Sequence, residues 1–257
     1  MADLYDQLTG YARDDGVEYI GVARLEEARD FIRWQGGDSI TSFPSAISAG
    51  IALSNAIVDL LPNTDDKASR ISYRHSAYDV INDRLDLFAS KVASLLQRAG
   101  HSAFPIPAAE RVDDERICAS FSHKVAARLC GFGWIGKSCL LVTPDHGPRV
   151  RWVTVLTDAP LESTGVPMEE RCGDCTECVA ICPVRGITGR SFKIEEPREA
   201  RFDARKCERH FSSLEARGKL RVCGLCLYVC PFGRAKGDGQ KGEAARRSYV
   251  VKGKNVV

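Results

Sequence analysis

"CGDCTECVAICP", Cys172 to Pro183, is the stretch on which the reading of this chain turns. Its spacing is Cys172-x2-Cys175-x2-Cys178-x3-Cys182-Pro183, and a second run, "CGLCLYVCP", spans Cys223 to Pro231. Two-residue spacings let three thiolates curl around one corner of an inorganic cube, while the fourth cysteine points away toward a second cube. The second half reads Cys207-x15-Cys223-x2-Cys226-x3-Cys230-Pro231; its first cysteine is displaced upstream by "ERHFSSLEARGKLRV", a predicted short helix and turn. Crossed ligation then assigns Cys172, Cys175, Cys178 and Cys230 to cluster one, and Cys182, Cys207, Cys223 and Cys226 to cluster two, each a [4Fe–4S] cube. Zinc is the alternative for paired Cys-x2-Cys units, but it explains neither the third cysteine at x2 nor the two Cys-Pro endings. Gly173 and Gly224 fit tight turns that bring backbone N–H groups toward the sulfurs. Two clusters in one small module suggest a wire; a purely structural role is the competing reading.

The bulk composition supports this use of cysteine. The chain has 257 residues, 44% hydrophobic and 27% charged, with eleven cysteines, eight of them between Cys172 and Cys230. The polar, acidic opening "MADLYDQLTGYARDDG" is not a signal sequence, and no apolar run approaches the roughly 18 residues of a membrane span. A cytoplasmic protein with no membrane partner is therefore expected, and in that compartment many thiols mean metal or redox chemistry rather than disulfides. Cys118, Cys130 and Cys139 stand apart and read as buried small hydrophobes. From Val184 onward there are 18 Lys and Arg against 8 Asp and Glu. That surplus is either counter-charge for thiolates and sulfides or a face for an acidic partner, RNA included.

The residues before the cysteines alternate between helical and strand patterns. "YDQLTGYARDDG" predicts a helix and "VEYIGVARL" a strand, while "SAISAGIALSNAIVDLL" begins as a strand and passes into a helix closed by Pro62. "LPNTDDKASRISYRHS" reads as a polar loop. "AYDVINDRLDLFASKVASLLQRAGH" is the clearest helix, with Val80, Ile81, Leu85, Phe88, Val92, Leu95 and Leu96 at helical spacing. "SAFPIPAAERVDD" is extended. "SHKVAARLCGFG" predicts a helix capped by Ser122 and stopped by Gly131, followed by strands "SCLLVT" and "RVRWVTVLT" joined by the turn "PDHG". The expected class is α+β: an N-terminal mixed α/β domain over residues 1–168, a bacterial-type two-[4Fe–4S] ferredoxin-like module over 169–236, and a basic tail over 237–257.

"GFGWIGK", Gly131 to Lys137, fits neither a phosphate loop nor a dinucleotide fingerprint. Its glycines suit backbone brought close to something flat or anionic, or a plain tight turn. Tyr73, His75, Tyr78, Asp113, Asp114, Glu115 and His123 are the proton-handling side chains of this domain, each read singly as a surface or packing residue.

Together, "KVAARLCGFGWIGKSCLLVTPDHGPRVRWVTVLTDAPL", "CGDCTECVAICPVRGI" and "KCERHFSSLEARGKLRVCGLCLYVCPFGR" resemble the core of the epoxyqueuosine reductase family, whose wider relatives include the corrinoid-binding part of reductive dehalogenases. The resemblance is dense from about Ser120 to Arg234. It implies a cobalamin against the α/β domain, reduced by the clusters, that acts on a modified base of tRNA. It places Gly131, Gly133, Trp134 and Gly136 on the cofactor-facing wall, with Lys137 as an anion or substrate contact. The family's acid does not carry over, because its place falls at Ile117 and its Glu-Arg pair at His123-Lys124. His75, Tyr73, Asp113 and His123 are the remaining candidates for polar or proton-donating groups. The family continues after the second motif into a helical-repeat region that helps hold tRNA, whereas a short basic stretch follows here.

The leading expectation is thus an iron–sulfur oxidoreductase with a cobalamin that reduces a small or modified substrate, fed by a low-potential donor of ferredoxin or flavodoxin type. The alternatives are an electron carrier for a separate corrinoid protein, an epoxyqueuosine reductase acting on tRNA, and an RNA-binding protein with clusters as scaffolding. Anaerobic reconstitution is expected to load about eight irons per chain; four or fewer contradicts the crossed two-cluster assignment.

Overall fold

Ser45–Ala52 and Val150–Thr157 are buried almost end to end and lack polar–apolar alternation, the pattern of strands covered on both faces. The computed structural model describes residues 3–63 and 66–234. The segment expected as a basic tail lies outside the described residues.

The elements run α1 (Leu4–Asp14), β1 (Tyr19–Arg24), α2 (Arg29–Gly36), α3 (Asp38–Thr41), β2 (Ser45–Ala52), α4 (Asn55–Val58), α5 (Lys67–Arg74), a π-helical segment (His75–Val80), α6 (Ile81–Arg98) and β3 (Ala103–Ile106). Then come α7 (His123–Leu129), β4 (Trp134–Ile135), β5 (Leu141–Val142), β6 (Val150–Thr157), α8 (Glu177–Ala180), α9 (Ala204–Ala216) and α10 (Leu225–Tyr228). The main sheet has the order β1-β2-β6-β3, with every pair antiparallel. Pro105, which has no N–H to give, sits on the edge strand β3.

Successive residues of the central strands feed two cores. Ile47, Ala49, Ile51, Val153 and Val155 pack with Leu8 of α1 and Leu85, Phe88 and Val92 of α6. Ala46, Trp152 and Leu156 pack with Val125 and Leu129 of α7, and with Tyr19 and Phe132. Phe132 stacks on Trp152 at 5.6 Å between ring centres, and Tyr19 closes on both. This aromatic nest needs space on the strands beneath it. A Cβ on Gly50 would lie 2.6 Å from the Trp152 ring, and one on Gly21 would lie 2.7 Å from that of Phe132.

Three local expectations change. The "polar loop" contains α5, because the Asp66 carboxylate accepts the Ala68 N–H at 3.0 Å and only Ser69 and Tyr73 of the helix are buried, leaving its other faces polar. Ser122 occupies the N-cap of α7 in extended backbone, yet its hydroxyl makes no capping bond. Of "SCLLVT" only Leu141–Val142 is strand, and it pairs with β4 rather than with β6.

The cluster region is tied to this layer by buried polar anchors. Arg149, 1% exposed, pairs with Asp59 at 2.7 Å and donates to Asn55 Oδ1 at 2.9 Å and to the Tyr228 carbonyl at 3.3 Å. Arg70 reaches the carbonyls of Leu220 and Val222.

Candidate metal centre and adjoining cleft

The sequence puts Cys172, Cys175 and Cys178 within seven residues, and the fold returns Cys230 to them. All four line one cavity together with Lys137, Ser138 and Phe232. The other four gather separately: Cys207 and Cys223 lie in the fields of one another and of Cys182, and Cys226 feels all three. The chain therefore brings the cysteines together in the crossed sets, and Cys178 and Cys226 stand on the seam between them. Among the described residues no three His, Cys, Asp or Glu side chains are close enough to grip a single ion. Burial pushes the Cys226 thiol up to about 12 and those of Cys207 and Cys230 up to about 11, so loading iron must displace their protons.

"GFGWIGK" serves this first cage. Gly131 ends α7 at φ +78°, Phe132 enters the aromatic nest, and a Cβ on Gly133 would sit 2.1 Å from the Val142 carbonyl oxygen. The close approach that these glycines allow is to the chain's own backbone. Trp134, 1% exposed, meets Phe232 edge-on at 4.8 Å. Burial raises the Cys172 thiol, while the Lys137 backbone N–H and the Trp134 indole N–H act to lower it. The Lys137 ammonium donates to the carbonyls of Gly173 and Cys175, holding the first cysteine turn.

A cleft lies on the other side of the same segment. Lys137 and Ser138 line the cage, whereas Ile135 and Cys139 line a half-open cavity of about 270 Å³. Phe121, Val125 and Arg201 form its buried floor, and Trp34, Phe31 and Phe192 its more exposed rim. One wall is a hairpin closed by the Asp113–Cys118 bridge. Ile117 sits in this hairpin at φ +51°, a costly conformation for a β-branched residue. Arg198 holds it there by donating to the carbonyls of Ile117 (2.8 Å) and Arg116. Lys124 Nζ donates to the Cys139 carbonyl at 2.7 Å and stands 3.5 Å from its sulfur.

The proton-handling candidates do not converge. His75 is exposed at the surface, 3.8 Å from Asp79. Tyr73 is buried beside the second cage, where a Cβ on Gly224 would lie 2.9 Å from its hydroxyl, and burial raises its pKa. Asp113 is spent on its hairpin, accepting the Arg116 N–H at 2.7 Å. His123 lines the cleft, but both ring nitrogens are occupied: Pro107 O lies 3.0 Å from Nε2 and Thr154 Oγ1 lies 2.9 Å from Nδ1. A carbonyl only accepts, so Nε2 carries the proton and Nδ1 accepts from the threonine. Cys130 and Cys139 are buried as expected, whereas Cys118 is half-buried in the cleft wall. Sequence reasoning missed Arg116, Lys124, Arg198 and Arg201, which reach the cleft from three separate segments and share no motif.

Residues 171–233 match the family described as a 4Fe-4S double cluster binding domain, so the double-cluster module is present. The chain is homologous to epoxyqueuosine reductases: it is 27% identical over 177 residues to that of Bacillus subtilis, covering 65% of this chain and 40% of the relative. The fold is shared with a solved epoxyqueuosine reductase in complex with an epoxyqueuosine-modified tRNA stem loop (21% identity, TM-score 0.55, 90% of this chain and 66% of that one). It is shared as well with a catabolic reductive dehalogenase (20% identity, TM-score 0.67, 91% of this chain and 33% of that one). The chain thus spans less than half of the Bacillus subtilis relative. No helix among the described residues is long and apolar enough to cross a membrane.

Burial lowers His123 from the ordinary 6.5 to about 4, against the smaller opposing effect of the Pro107 hydrogen bond. Between those pH values the unfolded chain takes up a proton that the folded chain refuses. This contribution to stability is complete above about pH 6.5 and is lost as the pH falls toward 4. Urea midpoints at pH 7.5 and 5.5 are expected to differ less in His123→Gln than in the parent protein; equal differences contradict the buried neutral imidazole.

Proposed function

We propose that this chain is an iron–sulfur reductase: Cys182, Cys207, Cys223 and Cys226 would hold one cluster and Cys172, Cys175, Cys178 and Cys230 the other, and the pair would supply electrons to a reaction held in the cleft. The observation that carries this reading is the partition Ile135–Cys139, which presents Lys137 and Ser138 to the first cage and Ile135 and Cys139 to the cleft. The same five-residue segment thus borders both spaces. The homology to iron–sulfur reductases supports catalysis over simple electron carriage.

The relatives imply a corrinoid, which when bound supplies a strongly reducing cobalt centre. The cleft fits such a group at its mouth. Trp34, Phe31 and Phe192 offer flat apolar surfaces, and the buried Nη2 of Arg116, which has no hydrogen-bond partner among the described residues, is a donor suited to the carbonyls of a corrin rim. The floor is too small to enclose a macrocycle and is left for the reacting part of a substrate. There the chain's own groups exclude water through Phe121, Val125 and Ile135 and supply charge through Lys124. No carboxylate lies within ion-pair distance of Lys124 among the described residues, and two of its three protons are committed to Cys139. The third is free for a group in the cleft. Lys124 takes the proton-donating role for which His75, Tyr73, Asp113 and His123 were candidates.

For the substrate, the homology supports the alternative of a modified tRNA base over the leading expectation of a small or modified substrate, because curated relatives are epoxyqueuosine reductases and one solved structure holds a tRNA stem loop. A base extruded into the cleft suits its size. The test combines iron-loaded protein, hydroxocobalamin and an epoxyqueuosine-containing stem loop. Expected are stoichiometric corrinoid binding, cobalt reduction that requires the clusters, and turnover that falls about 100-fold or more in Lys124→Met with iron content unchanged. Intact, reducible clusters with no corrinoid binding would leave an electron carrier. Corrinoid reduction without turnover of the stem loop would return the small-molecule reading.

A further inference from the structure

We propose that the indole N–H of Trp134 hydrogen-bonds to a sulfur of cluster one, and that with Lys137 it raises the potential of this cluster above that of cluster two. The inference rests on the two-cluster reading and is independent of the substrate.

Trp134 is among the largest fully buried side chains, and among the described residues its Nε1 has no hydrogen-bond partner at ordinary bonding distance, the Cys172 sulfur being the one acceptor on which it acts. A buried donor of this kind is costly unless something accepts from it. Its surroundings name the acceptor. A point at Cβ distance from Gly136 lies 3.2 Å from Cys172 Sγ and 3.8 Å from Trp134 Nε1, so indole nitrogen and ligand sulfur border the same small space. Gly136 keeps that space clear of a side chain. The ring cannot turn away: Phe232 packs edge-on against it at 4.8 Å, and the Arg171 guanidinium stands 5.7 Å from its centre.

Lys137 adds to the same sulfur. Its backbone N–H is directed at Cys172, and its ammonium is fixed on the carbonyls of Gly173 and Cys175, next to the cage. Hydrogen bonds and positive charge at the sulfurs favour the more negative, reduced cluster and so raise its potential. At the second cage the donors in view are the backbone N–H of Gly186, 3.3 Å from Cys182 Sγ, and of Leu225 on Cys223, with Arg70 as the nearby cation. Cluster one, beside the cleft, becomes the electron sink of the pair. Trp134 is in this sense a positioning residue: it acts on the cluster and not on substrate.

The experiment is an EPR-monitored redox titration of iron-loaded wild type and Trp134→Phe, after iron analysis of both. A Cys207→Ser variant identifies the signals of cluster two. The expected result is a lower midpoint potential for the higher-potential cluster alone in Trp134→Phe, with the Cys207-dependent signals unmoved. Unchanged potentials, equal shifts in both clusters, or a shift confined to the lower-potential cluster would overturn the proposal. If Trp134→Phe does not retain its iron, wild-type protein carrying indole-15N tryptophan decides. A hyperfine coupling from the indole nitrogen to the reduced cluster not perturbed by Cys207→Ser is expected, and its absence overturns the assignment. An iron content of four or fewer in the wild type would instead remove the two-cluster reading itself.

Discussion

The contact on which the rest depends is the one that Gly131–Lys137 makes with the first cysteine turn. Four thiolates can hold a cluster only if the loop that carries three of them has a rigid backing, and this segment is that backing. Phe132 fixes one end in the nest of Tyr19 and Trp152. Gly133 presses onto the Val142 carbonyl, Trp134 meets Phe232, and Lys137 holds the carbonyls of Gly173 and Cys175. The antiparallel sheet provides the position of Trp152, and the small residues Gly21 and Gly50 provide the room above it. A chain that folds its core this way delivers a fixed wall to cluster one and, on the reverse side of that wall, the cleft.

What could be read from sequence was whatever is local. The two cage sets follow from spacing, because a cube accepts thiolates only from certain short separations. The long helix α6 follows from its apolar period. The helix α5 was hidden because its buried side is only Ser69 and Tyr73. Tyr73 and His75, two residues apart, point to different environments, since such positions on a helix do not share a face; one is buried at the second cage and the other is exposed. The glycines of "GFGWIGK" suit, on sequence, either an approach to something flat or anionic or a plain tight turn; a glycine does not say what approaches it, and Gly133 meets strand backbone.

The cleft was illegible for a different reason. Trp34, Arg116, Lys124 and Arg198 reach it from α2, the Asp113–Cys118 hairpin, α7 and the cluster region. No spacing rule links them, and only the tertiary fold brings them together. The place of the family's acid falls on Ile117, and the structure gives that position to a hairpin turn clamped by Arg198. Lys124 lines the same cleft, its ammonium steadied by Cys139 on the very segment that backs the first cysteine cage.

The central claim is that this segment couples cluster one to the sheet domain. Hydrogen exchange read by mass spectrometry, compared between iron-loaded and iron-free protein, tests it most directly. The account predicts that cluster assembly increases protection across residues 131–142 as well as across 171–233, while α6 is unchanged. Protection gained only within 171–233, with residues 131–142 exchanging alike in both forms, would contradict it.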